Sequence, residues 1–171
     1  MLHLYIGDGK GKTTSAIGLA LRAAGAGKKV YFCQFLKDSK FACCESAMLK
    51  RCGIKFERFK GQTHPLFDKG GEKKISTKKS IESAFLSVEK TVVGKEFEMV
   101  VLDEVLNVWG AGLIHESRLR GVAAASKSVE LIFTGRDAPV ALVRMADYVS
   151  LIKKIKHPFD KNTSARKGIE Y

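Results

Sequence analysis

The sequence lacks any apolar run approaching the roughly 18 residues that a membrane-crossing helix needs. It also lacks a recognisable secretory leader. Met1–Ile6 is apolar, but no basic residues precede it and the stretch is short. Both absences lead to the expectation of a cytoplasmic protein. The four cysteines, Cys33, Cys43, Cys44 and Cys52, contain no pair at CxxC spacing. They do not match a zinc site, and reduced, structural thiols are expected. No internal repeat, low-complexity segment or composition break divides the chain. Its 171 residues fit one domain spanning 1–171. A domain of this size buries roughly 70% of its unfolded surface, so it needs no disulfide or structural metal. Acidic residues are the scarce charge, 18 against 30 basic ones, for a net +12. That surplus favours an anionic partner, whether nucleic acid, anionic lipid or polyphosphate, or it is a solvated basic surface. No block of like charges is long enough to form a nucleic-acid-binding tail.

What is present is an alternation of short apolar runs with helical segments. Strands are expected at Leu2–Ile6, Val30–Leu36, Ile54–Phe59, Met99–Leu102, Val129–Phe133 and Tyr148–Ile152. Helices are expected at Lys12–Ala26, Phe41–Cys52, Glu72–Val93, Gly112–Ser126 and Pro139–Met145. In the long one, Ile75, Ile81, Phe85, Val88 and Val92 recur near helical spacing. Lys60–Gly71 holds several glycines and a proline and reads as a loop. This order predicts βαβ units, hence an α/β fold with a mostly parallel central sheet and helices on both faces. From Lys153 to Tyr171 the apolar signal thins, and a loop or lid is expected there.

The first strand runs into Gly7-Asp8-Gly9-Lys10-Gly11-Lys12-Thr13-Thr14, which opens a helix. In that context glycines let backbone N–H groups curl around phosphate oxygens, and the helix N-terminus adds its positive dipole end. Lys12 would reach phosphate oxygens and the Thr13 hydroxyl would ligate Mg²⁺. The usual pattern, GxxxxGK followed by Ser or Thr, has a glycine where Ile6 stands. A second apolar strand ends in Asp103-Glu104, as phosphate-loop proteins place carboxylates near the metal, although a helix cap would look the same. A third ends in Thr134-Gly135-Arg136. It places Arg136 at the sheet edge where ligands bind, with a fork suited to phosphate or to pairing with Asp137. These residues point to a Mg²⁺-nucleotide-binding domain without naming the bond that breaks.

The three motifs occur in one order with Gln34-Phe35-Leu36-Lys37, Ala146-Asp147-Tyr148-Val149, Lys156-His157-Pro158-Phe159-Asp160 and Lys167-Gly168-Ile169-Glu170-Tyr171. Together they resemble the P-loop-type ATP:corrinoid adenosyltransferases over essentially the whole chain. In that family the offset first glycine is itself typical. The resemblance implies a P-loop NTPase (RecA-like) fold. It implies transfer of the 5′-deoxyadenosyl group of ATP to the Co(I) centre of a reduced corrinoid, cob(I)alamin or a precursor, with release of triphosphate. It further implies Mg²⁺ as cofactor and a separate electron donor such as a reduced flavoprotein. A homodimer is expected, with neither a membrane nor nucleic acid as partner.

Carried over position by position, Gly7, Asp8, Gly9, Lys10, Gly11, Lys12, Thr13 and Thr14 would bind the nucleotide. Thr13, Asp103 and Glu104 would serve the metal, and Lys12 and Arg136 would neutralise the leaving triphosphate. The loop after the third strand would face the corrinoid through Gln62, Thr63 and His64. The family carries aromatics at the first and last of these positions. Other departures are Ser150 where a Glu is common and no glycine near Asn162–Thr163. Many relatives also have an extension before the first strand, so the segment from Lys153 is expected to do more of the covering. Four alternatives stay open from the residues alone. They are a γ-phosphate ATPase or kinase with Glu104 as base, a thymidine-kinase-like enzyme (though its paired cysteines are missing), a nucleic-acid-binding module, and a corrinoid carrier without catalysis.

Overall fold

A computed structural model describes residues 1–37, 44–63, 74–126, 128–161 and 163–169. The elements are β1 (Leu2–Ile6), α1 (Lys12–Gly25), β2 (Val30–Gln34), α2 (Cys44–Arg51), β3 (Lys55–Arg58) and α3 (Lys74–Val93). They continue with β4 (Met99–Asp103), α4 (Val105–Gly110), α5 (Glu116–Ala125), β5 (Glu130–Thr134), α6 (Val140–Met145) and β6 (Tyr148–Leu151). A 3-10 turn covers Pro158–Lys161. The six strands form one sheet in the order β3-β2-β4-β5-β1-β6, and every pairing is parallel.

The central strands β2 and β4 are buried at every position, as expected when helices cover both faces of a parallel sheet. Alternate side chains feed two cores. One face carries Leu4, Tyr31, Val100, Leu102 and Phe133, packed with Ile81, Phe85 and Val88 of α3 and with Leu106, Leu119 and Leu142. The other carries Phe32, Val101 and Ile132 under α1 and α2. There the buried residues of α1 are all alanines, Ala16, Ala20 and Ala23, flanked by the partly buried Ile17 and Leu19, and small side chains let a helix lie close to the strands. The helix's first turn therefore sits directly over the sheet's C-terminal edge.

The expected α/β architecture is observed, with differences at element ends. The helix expected over Gly112–Ser126 begins only at Glu116, where His115 caps it by accepting from the Ser117 N–H. Gly112 holds a left-handed turn at φ 68°. Ile75 does not join the apolar face of α3; it is 72% exposed, because the core contacts begin a turn and a half later at Ile81. The one-and-a-half-turn helix α4 went unforeseen, being too short to show a period. Residues 41–43 and 72–73, expected to start helices, lie outside the described residues. No described helix is long and apolar enough to cross a membrane.

Candidate functional site

Strand β5 separates β1 from β4, so the phosphate loop after β1 and the carboxylates after β4 face each other across the end of β5. The loop turns sharply at Gly7, φ 121°, and again at Gly11, φ 123°. Its backbone is tied on both sides: Gly7 N–H donates to the Arg136 carbonyl at 3.0 Å and Gly9 N–H to the Ile152 carbonyl at 2.8 Å. The Asp8 carboxylate accepts from the Lys154 N–H at 3.0 Å, and that bond holds its pKa below the usual carboxylate value. Gly7 therefore takes the close-approach role one residue after the position where the usual pattern has its first glycine.

A cavity of about 720 Å³ opens above the loop. Its walls include the whole segment Asp8–Thr14, with Ile17, Lys37, Met48, Glu104, His157 and Ile169. The expected nucleotide-binding residues are thus brought together, apart from Gly7, which lies behind the wall. Lys12 Nζ donates to the Gly9 carbonyl at 2.6 Å. Burial lowers its pKa, partly offset by the nearby Glu104 carboxylate. Lys10 Nζ reaches the Ile169 carbonyl at 3.1 Å, linking the loop to the tail.

The two carboxylates differ in setting. Asp103 is fully buried. Its Oδ1 accepts from Thr13 Oγ1 at 2.9 Å and Thr134 Oγ1 at 2.7 Å, and its Oδ2 accepts from Gln34 Nε2 at 2.7 Å. Glu104 lies in the left-handed region, φ 65°, a strained conformation for a residue with a Cβ. Its N–H donates to Thr134 Oγ1 at 2.9 Å, and its carboxylate accepts from Asn107 Nδ2. That turn aims the carboxylate into the cavity wall. Burial first, and the Asp103 charge second, raise its pKa.

These donors test whether a metal fits. Thr13 gives its proton to Asp103, so its oxygen lone pairs are left to face the cavity, and Glu104 adds a carboxylate from across it. Hydroxyl and carboxylate oxygens are the hard donors that Mg²⁺ takes, so the set fits. No cluster of three or more His, Cys, Asp or Glu suited to a protein-only metal cage is present among the described residues. Cys33, Cys44 and Cys52 are free thiols.

The sequence of the whole chain, residues 1–171, matches the family described as ATP:corrinoid adenosyltransferase BtuR/CobO/CobP. The chain belongs to that family of transferases. It is 28% identical over 172 residues to the corrinoid adenosyltransferase of Escherichia coli K12, covering 100% of this chain and 85% of the relative. It is 29% identical over 176 residues to corrinoid adenosyltransferase CobA of Salmonella typhimurium LT2, again covering 100% and 85%. A Pseudomonas aeruginosa corrinoid adenosyltransferase is 28% identical over 173 residues, with 100% and 83% covered.

Within this family member, Arg136 is exposed. Its backbone is held on both sides, N–H to Asn107 Oδ1 at 2.7 Å and carbonyl to Gly7. In the loop after β3, Gln62 is 1% exposed. Its Oε1 accepts from the Leu36 N–H at 2.8 Å, so the side chain turns inward and clasps the exit of β2. Thr63 is half-buried, and its N–H donates to Thr77 Oγ1 at 3.2 Å. His64 lies outside the described residues. Sequence reasoning missed Asn107, which sits on the unforeseen α4, and Arg58. It quoted Gln34 and Thr134 in motifs without giving either a role. The Gly135 Cα lies against α4, where a Cβ would come within 2.5 Å of Leu106 Cβ.

Proposed function

We propose that this protein transfers the 5′-deoxyadenosyl group of ATP to the Co(I) centre of a reduced corrinoid. The observation that carries this reading is the cavity above the phosphate loop, walled by Asp8–Thr14 and faced by Glu104, in a chain matched end to end by the family. The electron pair of Co(I) forms the new bond to C5′ of the ribose. The C5′–O bond breaks and its pair leaves on triphosphate. No proton moves, so no general base is required.

The residues then have one task, to hold triphosphate as its charge grows. Loop N–H groups and Lys12 would cradle it, and Arg136 would approach from the neighbouring strand end. Thr13 and Glu104 would hold Mg²⁺, with Asp103 acting through Thr13. Bound there, Mg²⁺ would supply charge neutralisation of the phosphates. The apolar side chains of Ile17, Met48 and Ile169 would line the space beyond the phosphates. Electrons for making Co(I) would come from a separate donor such as a reduced flavoprotein, and the protein would work as a homodimer in the cytoplasm. The loop around Gln62, Thr63 and His64 would lie on the corrinoid side, with Gln62 anchoring it from within.

The test is anaerobic mixing of the protein with MgATP and chemically reduced cob(I)alamin. Loss of the Co(I) absorbance with formation of a light-sensitive product supports the reading. Untouched Co(I) contradicts it. One observation favours a second reading: Glu104, a buried carboxylate with a raised pKa beside the phosphate loop, is suited to orient water for γ-phosphate hydrolysis.

A further inference from the structure

At the C-terminal ends of the strands, four polar residues form a row across three strand boundaries. Arg58 of β3 lies in register with Gln34 of β2, Gln34 with Asp103 of β4, and Thr134 ends the next strand, β5. All sit on the α1 side of the sheet, where Thr13 completes the set. Gln34 and Asp103 are both fully buried. The contacts run without a break: Arg58 Nε to Gln34 Oε1 at 2.5 Å, Gln34 Nε2 to Asp103 Oδ2 at 2.7 Å, and Asp103 Oδ1 to Thr13 Oγ1 at 2.9 Å.

A glutamine amide has an accepting end and a donating end. Here each end has one partner that permits only one orientation. An arginine is always protonated and can only donate. It therefore takes the carbonyl end of Gln34, which turns the NH₂ end toward Asp103. Rotated by half a turn, the amide would set its carbonyl against a carboxylate and its NH₂ against a guanidinium N–H, and both contacts would repel. Facing the NH₂ group, Asp103 accepts at Oδ2, and its Oδ1 accepts from the Thr134 and Thr13 hydroxyls. With its hydrogen directed to Asp103, Thr13 keeps its oxygen lone pairs for the cavity.

We propose that Gln34 is a positioning residue for the metal side of this site, and that Arg58 locks the polarity of its amide. Through Asp103, the pair fixes the direction of the Thr13 hydroxyl before any ligand arrives. This rests on the reading of the cavity as a Mg²⁺–triphosphate site. It goes beyond that reading in giving an edge-strand arginine, outside the cavity wall, control over how Thr13 meets the metal.

The test has two arms, both on the full chain. Gln34 and Gln62 are its only glutamines, so ¹⁵N-glutamine labelling gives two side-chain amide pairs, which a Gln62→Met variant assigns. The Gln34 amide protons should exchange slowly with solvent in the parent protein. Arg58→Met should speed that exchange at least tenfold, and Arg58→Lys should restore part of the protection. In the second arm, calorimetry measures ATP binding with and without Mg²⁺. Arg58→Met and Gln34→Met should weaken MgATP binding about tenfold while metal-free ATP changes by less than twofold. Arg58 is half-buried on an edge strand, so its variants keep the test open if Gln34→Met fails to fold. Fast Gln34 exchange in the parent protein overturns the proposal. So does a parallel loss of MgATP and free-ATP binding, or no loss of either. If the parent protein does not bind MgATP at all, the reading of the cavity fails, and the exchange arm alone decides the lock.

Discussion

A β-carbon on Gly7 would stand 2.2 Å from the carbonyl oxygen of Ile152. The phosphate loop is therefore seated against the chain that leaves β6, and the seat has no room for a side chain. A β-carbon on Gly9 would meet the same segment, 2.8 Å from the Ile152 oxygen and from the Lys153 backbone. Gly7→Ala should destabilise the protein by more than the roughly 1–3 kcal/mol that a strained backbone conformation costs alone. Gly18→Ala, in the exposed middle of α1 with open space around it, should instead stabilise by about 0.5–1 kcal/mol. Chemical denaturation of the two variants checks the contrast.

Lys12→Met should leave the unfolding midpoint nearly unchanged, because Lys12 Nζ donates to a carbonyl within its own loop. Hydrogen bonds to charged groups contribute about 1.5–3 kcal/mol, so triphosphate binding should weaken roughly ten- to hundredfold. Arg at this position should not restore it, since a guanidinium does not fit a seat shaped for a compact ammonium. Calorimetric titration with inorganic triphosphate gives the answer.

Glu104 yields a pH signature of the ligand-free protein. Its pKa is raised in the folded state above the ordinary 4.5. In that window the folded chain binds more protons than the unfolded one, so this residue's contribution makes stability fall as pH rises. Glu104→Gln keeps the shape and removes the charge. The variant should match the parent protein below pH 4.5 and grow more stable than it as pH increases toward the raised value. Denaturation curves across that range check the sign.

Asn107 joins the Glu104 carboxylate to the Arg136 backbone, so it ties the turn after β4 to the turn after β5. Asn107→Ala leaves the Arg136 N–H without its acceptor and should cost about 1–3 kcal/mol of transition-state or folding free energy. Asn107→Asp should be worse for turnover, because a second carboxylate then faces Glu104. Steady-state kinetics set beside unfolding midpoints separate the two effects.

Replacing Gln62 by an aromatic is not a free exchange here. The Leu36 N–H loses its acceptor, at about 1–3 kcal/mol, and Leu36 holds a left-handed conformation, φ 57°. Gln62→Phe should lower the unfolding midpoint, and differential scanning calorimetry reads the shift.

The fold was legible because its signals are local. Apolar runs such as Met99–Leu102, glycine stops and a cap-like phosphate loop all act within a few residues, and each marked an element. The glycine loop between β1 and α1 was legible as a turn for the same reason. Contacts made by register across strands were not. Nothing near Arg58 in sequence says that it will stand beside Gln34, and nothing near Gln34 says that it will face Asp103. Helix α4 hid because six residues cannot display a 3.6-residue period. With it hid Asn107, whose partners come from β4 and β5. Gln62 was marked by its place in a motif, but only the packing shows that it turns inward to Leu36.

The measurement that tests the central claim most directly is phosphorus NMR of the anaerobic reaction of protein, MgATP and cob(I)alamin. Adenosyl transfer yields intact triphosphate in a one-to-one ratio with new cobalt–carbon bonds. ADP and inorganic phosphate, with Co(I) unconsumed, would contradict it and would make Glu104 the base of a hydrolase.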